Sequence, residues 1–146
     1  VPHRAELVRV LDGVSYYNDS IGTSPTRTAN GTLQLYDRKI ILIAGGYDKQ
    51  IPYDTLGPII MDKVKTLILM GATADKIEAA VKAAPNYCEQ EIVILHANSM
   101  EKAVALAKEQ AQKGDIVSLS PASASFDLYP NFEARGNHFK NIVNAL

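Results

Sequence analysis

The sequence predicts an α/β domain: a mostly parallel sheet flanked by helices, with an N-terminal hairpin. Three observations carry that expectation. Short continuous apolar runs recur at residues 39–44 (KIILIA), 64–70 (VKTLILM), 91–96 (EIVILH) and 115–119 (DIVSL). Runs of this length, rich in Ile, Val and Leu, suit strands buried on both faces, as in a parallel sheet. Segments of helical spacing alternate with them, which is the α/β pattern. At the start, residues 7–10 and 14–17 flank Leu11-Asp12-Gly13. Asp-Gly between apolar stretches is a tight-turn signal, so these two stretches form a hairpin and add an antiparallel edge.

The helices follow in order. Residues 24–35 place Pro25 in a first turn, where a missing N–H costs nothing. Residues 53–63 give a weaker helix, interrupted by Gly57-Pro58. Thr73 N-caps a helix with Ile77, Ala80, Val81 and Ala84 on one face, and Pro85 stops it. Asn98 and Glu101 have capping-box spacing ahead of SMEKAVALAKEQAQ, which Gly114 closes. Residues 133–146 form a last helix with Phe139, Ile142 and Val143 facing inward.

Composition narrows the function. A chain of 146 residues is one domain on length alone. It buries roughly 68–70% of its unfolded surface, enough for a core of its own. A net charge of −1 argues against non-specific nucleic-acid binding. No apolar run is long enough to span a bilayer, and no polybasic stretch or secretory signal points to a membrane. Cys88 has no second cysteine to pair with, which fits a reducing, cytoplasmic setting. The chain starts Val-Pro-His-Arg, as a piece of a longer protein or a processed one would.

Ligands of open α/β sheets bind beyond the carboxyl ends of the strands. Three polar loops fall there: NDSIGTSP (18–25), GGYDK (45–49) and SPASASFDLYPNF (120–132). Gly45-Gly46 permits close backbone approach to a ligand and Lys49 offers a cation, although a plain strand-to-helix turn has the same composition. Asp19 suits a ribose hydroxyl, or equally a turn backbone. The small residues Pro121 to Ser125 let backbone N–H groups approach an anion. No G-x-S-x-G surrounds the serines, so a serine hydrolase is excluded. G-x-G-x-x-G and the Walker A loop are both absent. His3, His96 and His138 lack metal-ligand spacing, and no metal site is expected. His96 reads as loop structure and His138 as a partly exposed helix residue.

Taken together, PHRAE (2–6), YNDSIGTSP (17–25), GGYDK (45–49) and LSPASASFD…NFEARGNHF (119–139) resemble the C-terminal domain of the Mur ligase family. The last motif is the most specific and resembles the D-glutamate-adding members. The resemblance spans essentially the whole chain. It implies a Rossmann-like domain, the third of three, with the N-terminal domain and the central ATP-binding domain outside residues 1–146. It implies a monomeric, ATP-dependent, amide-forming enzyme of peptidoglycan synthesis that adds D-glutamate to UDP-N-acetylmuramoyl-L-alanine through an acyl phosphate. Mg²⁺ would be held mainly by the central domain, so this piece alone would be inactive. The resemblance assigns Thr23, Lys49, Ser125, Phe126 and Phe132 to D-glutamate, and His3, Arg4 and Asp19 to ATP. The motifs depart from many relatives at Ile21-Gly22, where Lys-Ala is usual, and from some at Ser123 and Phe126. The rival reading is a stand-alone Rossmann-like module that binds a nucleotide or a protein. An NAD-dependent enzyme is disfavoured by the missing glycine fingerprint.

Overall fold

In the computed structural model, which describes residues 1–125 and 128–146, six strands form one sheet. They are β1 (Glu6–Leu11), β2 (Val14–Asn18), β3 (Ile40–Ala44), β4 (Val64–Leu69), β5 (Val93–His96) and β6 (Ile116–Leu119). Their order across the sheet is β1-β2-β6-β3-β4-β5. Only the β1–β2 pair is antiparallel, as the Asp12-Gly13 hairpin requires. Both turn residues have positive φ, 53° and 79°, which matches the twist of the flanking strands.

The helices are α1 (Pro25–Asn30), α2 (Leu56–Lys63), α3 (Ala74–Lys82), α4 (Met100–Gln110) and α5 (Phe132–Asn144). Side chains of β3 alternate between two cores. Leu42 and Ala44 join the core under α1, α2 and α3. Ile41 and Ile43 join the core under α4 and α5, with Val117, Leu119, Phe139 and Val143. Both faces of β3 are therefore dry, which explains its uninterrupted apolar run.

Several local expectations need correction, among them the close of α4, which comes at Gln110 with Ala111 as its cap and not at Gly114. The helix at residues 24–35 stops at Asn30, where Gly31 breaks it, and continues as a 3-10 turn at Thr32–Gln34. Gly57-Pro58 does not interrupt α2, because both residues lie in its first turn, where proline is tolerated. The α4 cap is Ser99, whose hydroxyl accepts the Lys102 N–H at 3.1 Å, rather than Asn98. Thr73 stands at the α3 N-cap position, but its side chain makes no capping bond. Its Oγ1 instead accepts the Gly46 N–H at 3.0 Å and bonds Ser123 Oγ at 2.8 Å. His96 is the last residue of β5, and its Nε2 meets Glu78 Oε1 at 2.7 Å.

Gly45 ends β3 with φ +107°, and a Cβ there would overlap the Met70 carbonyl oxygen. Gly114 has a similar φ of +94°, but its nearest neighbour is 4.0 Å away. Gly114→Ala is expected to cost about 1–2 kcal/mol, from the left-handed backbone alone. Gly45→Ala is expected to cost at least about twice that, because backbone must also move. Urea unfolding of the two variants checks the difference.

Candidate functional site

Three neighbouring strands end at one level. Asn18 of β2 pairs with Leu119 of β6, and Leu119 pairs with Ile43 of β3. Backbone bonds then tie the loops that leave them. Asp19 N–H donates to Leu119 O (2.8 Å), Ser120 N–H to Ile43 O (3.1 Å) and Gly45 N–H to Pro121 O (2.8 Å). Helix α1 leaves β2 toward one core, while α5 follows β6 on the opposite face. A crevice at such a switch point is where open α/β sheets hold ligands.

The structure brings together Thr23, Lys49, Ser125 and Phe132. They line one cleft of about 290 Å³ with Ala124, Asn131 and Glu133. Ser125 is buried, and Tyr47 N–H donating to Ala124 O at 2.8 Å anchors the segment before it. The Ser125 carbonyl accepts the N–H groups of Leu128 (3.1 Å) and Tyr129 (2.8 Å), which closes a turn. Tyr129 in turn bonds His138 Nδ1 at 2.5 Å, and His138 Nε2 faces Glu101 Oε2 at 3.2 Å. Burial pushes the Tyr129 phenol up to about 12, so it stays protonated and can donate to His138. Phe132 opens α5 above the Asn131 cap, and its ring stands edge-on to His3 at 5.9 Å. Lys49 is exposed, and among the described residues no carboxylate pairs with it. A cation, two hydroxyls and an aromatic face suit a small anion on an apolar stem. Phe126, expected in the same site, lies outside the described residues.

Arg135 ties together segments that carry this cleft, and sequence reasoning missed it. The side chain is 3% exposed. Its Nε donates to Ser20 Oγ (3.0 Å), Nη2 to Ser20 O (2.8 Å) and Nη1 to Ser123 O (3.0 Å). Ser20 Oγ passes the contact on by donating to Phe132 O at 2.7 Å. One guanidinium thus fixes the loop after β2, the loop after β6 and the start of α5. In sequence it looks like an ordinary charged helix residue. The only available signal was its place inside NFEARGNHF.

None of the three residues expected on the ATP side lines that cleft, although His3 borders it through Phe132, and the three differ from one another. Arg4 and Asp19 line a second cavity of about 540 Å³, with Arg27 and Thr32 among its walls. Asp19 is nearly inaccessible, and its carboxylate is already engaged. One oxygen accepts the Ala5 N–H (3.0 Å); the other accepts the hydroxyls of Ser120 (3.0 Å) and Thr32. It works here as a strut, with Oδ1 accepting only the Ala5 N–H among the described residues. His3 is buried, not part of a loose terminus. Its Nδ1 lies 3.0 Å from Asn18 Nδ2. Asn18 Oδ1 accepts the Ser20 N–H, so Nδ2 is the donor and His3 Nδ1 the acceptor. A Cβ on Gly136 would overlap the His3 ring, which explains the glycine after Arg135.

These features define a Rossmann-like α/β domain with a small polar cleft at the carboxyl ends of its strands. The match to known proteins is specific. Residues 3–123 fit the family described as "Mur ligase, glutamate ligase domain", and the chain belongs to the Mur ligase family. It is 57% identical to UDP-N-acetylmuramoylalanine--D-glutamate ligase of Clostridium botulinum (strain Okra / Type B1), over 100% of this chain and 32% of that protein. The ligase of the same name from Acetivibrio thermocellus is 55% identical over the same shares. The chain therefore spans about a third of the length of the curated relatives it matches. The fold is similar to that of murein peptide ligase Mpl from Psychrobacter arcticus, with TM-score 0.59 and 16% identity over 99% of this chain and 30% of that one.

Arg135→Ala would leave the carbonyls of Ser20 and Ser123 without their donor. Unfolding stability is expected to fall by about 2–5 kcal/mol. Chemical denaturation checks this; a loss under about 0.5 kcal/mol, the range of an ordinary surface change, would mean that the bonds do not hold the loops.

Proposed function

We propose that this chain is the third, amino-acid-binding domain of an ATP-dependent ligase. The ligase joins D-glutamate to UDP-N-acetylmuramoyl-L-alanine during peptidoglycan synthesis. The observation that carries the proposal is the convergence of Thr23, Lys49, Ser125 and Phe132 on one cleft. These residues come from three loops, and no common local structure requires them to meet.

D-Glutamate presents two carboxylates and an amine that must remain free to react. Lys49 takes one oxygen of the side-chain carboxylate through a charge-assisted bond. Thr23 and Ser125 supply hydroxyl donors, Phe126 a backbone N–H, and the Phe132 ring covers the methylene stem. Such a ligase would act as a monomer. The larger cavity faces the nucleotide. Arg4 and Arg27 line it and offer positive charge to phosphate. Mg²⁺ would be held by the central domain, outside this chain.

In the reaction, a terminal carboxylate oxygen of the acceptor attacks the γ-phosphorus of ATP, and ADP leaves. The amine of D-glutamate then attacks the acyl phosphate, an amide forms and inorganic phosphate departs. This domain contributes position: it holds the amino acid so that the amine, not a carboxylate, meets the acyl carbon. Closing the domains over the nucleotide keeps water from the acyl phosphate. Such a ligase would act in the cytoplasm. Among the described residues no helix is long and apolar enough to cross a membrane.

Two measurements test the reading. Residues 1–146 alone are expected to show no D-glutamate-dependent phosphate release, while the full-length protein shows it. In the full-length protein, Lys49→Ala is expected to raise the KM for D-glutamate about 10- to 100-fold, the worth of one charge-assisted bond. An unchanged KM would overturn the role given to Lys49.

A further inference from the structure

Asp48 lies immediately before Lys49, and a free carboxylate there would compete for its ammonium, as would Glu133 across the cleft. Asp48 is not free. Its Oδ2 is held by Lys76 Nζ at 2.7 Å, and its Oδ1 accepts the Gln50 N–H at 2.8 Å. Both oxygens are thus turned to other donors on either side of the lysine. Those two contacts, the Lys76 bond first, hold the Asp48 carboxyl below its ordinary range, so it is ionised at neutral pH.

Lys76 is oddly placed for a mere surface residue. It stands in the first turn of α3, where the helix dipole disfavours a cation. The Asp48 contact offsets that cost. Gln50, on the other side, has φ 61°, and its N–H points back to Asp48. Lys49 is bracketed by this turn and lines the cleft.

We propose that Lys76 and Asp48 are a positioning pair that keeps the Lys49 ammonium available to an incoming carboxylate. The proposal rests on the reading of Lys49 as the carboxylate-binding residue. Without Lys76, the freed Asp48 oxygen competes for Lys49 and adds an uncompensated negative charge beside a site for a dianion. The pair neutralises itself and leaves Lys49 as the net positive charge of its loop.

The test uses the full-length ligase and steady-state kinetics with D-glutamate varied. Lys76→Met is expected to raise the KM for D-glutamate about two- to five-fold, the scale of an exposed charge pair. The rise should grow at low ionic strength, while kcat changes less. Adding Asp48→Asn to Lys76→Met removes the competing carboxylate and is expected to return KM toward the parent value. A loop that merely needs its ion pair predicts the opposite: the double variant would be no better than Lys76→Met. That result, or an unchanged KM in Lys76→Met, overturns the proposal. Lys49→Ala run alongside separates the two levels. If it raises KM and Lys76→Met does not, only the positioning pair fails. If Lys49→Ala itself leaves KM unchanged, the reading beneath it fails as well.

Discussion

The Arg135 guanidinium sits where two loops more than a hundred residues apart in sequence meet, and its hydrogen bonds to Ser20 and Ser123 set their separation. Ser20 lies just beyond β2, and Ser123 just beyond β6. Neither loop has regular structure to fix its shape, so a rigid planar donor with several N–H groups does the work a strand would do elsewhere. Gly46 and Gly136 supply the room. A Cβ on Gly46 would overlap Ala124 O, and one on Gly136 would overlap His3. The cleft is therefore preformed, and little ordering entropy is left to offset when a ligand enters.

Around Arg135 the chain separates support from contact. Buried polar groups hold one another: Asp19 with Ala5, Thr32 and Ser120; Ser123 with Thr73 and Tyr53. The groups that line the cleft include a cation, two hydroxyls and a ring, together with Asn131 and the Glu133 carboxylate. Some supporting residues reach the contacting ones directly, as Ser20 does through the Phe132 carbonyl. Tyr129 braces the turn that carries Ser125, and Asp48 precedes Lys49 with its own charge already answered. Separation of this kind permits tight geometry at the ligand without burying an unpaired charge.

Much of the fold was legible in the sequence because its signals are local. KIILIA reads as a doubly buried strand, and Asp12-Gly13 reads as a hairpin turn whatever the rest of the chain does. Failures came where a distant partner overrode a local rule. Thr73 has the chemistry of an N-cap, but Gly46 and Ser123 claim its hydroxyl from other loops. The Asp19 bond to Ser120, 101 residues away, was equally invisible locally, and it does not bear on the ribose role expected of Asp19. Gly57-Pro58 was misjudged for another reason: its effect depends on where α2 begins, and element boundaries are the weakest part of pattern reading. Within the cleft, the loops after β2, β3 and β6 were legible as polar strand ends, but Thr23, Ser125 and Phe132 were singled out only by the family resemblance. Arg135 was not legible, since nothing local distinguishes a buried helical arginine from an exposed one.

The most direct test of the central claim is a crystal structure of the full-length ligase with D-glutamate bound. One carboxylate of the diacid should lie about 2.7–2.9 Å from Lys49 Nζ, with Thr23 and Ser125 around the molecule and Phe132 over its stem. D-Glutamate seated instead between Arg4 and Arg27, with Lys49 turned to solvent, would contradict it.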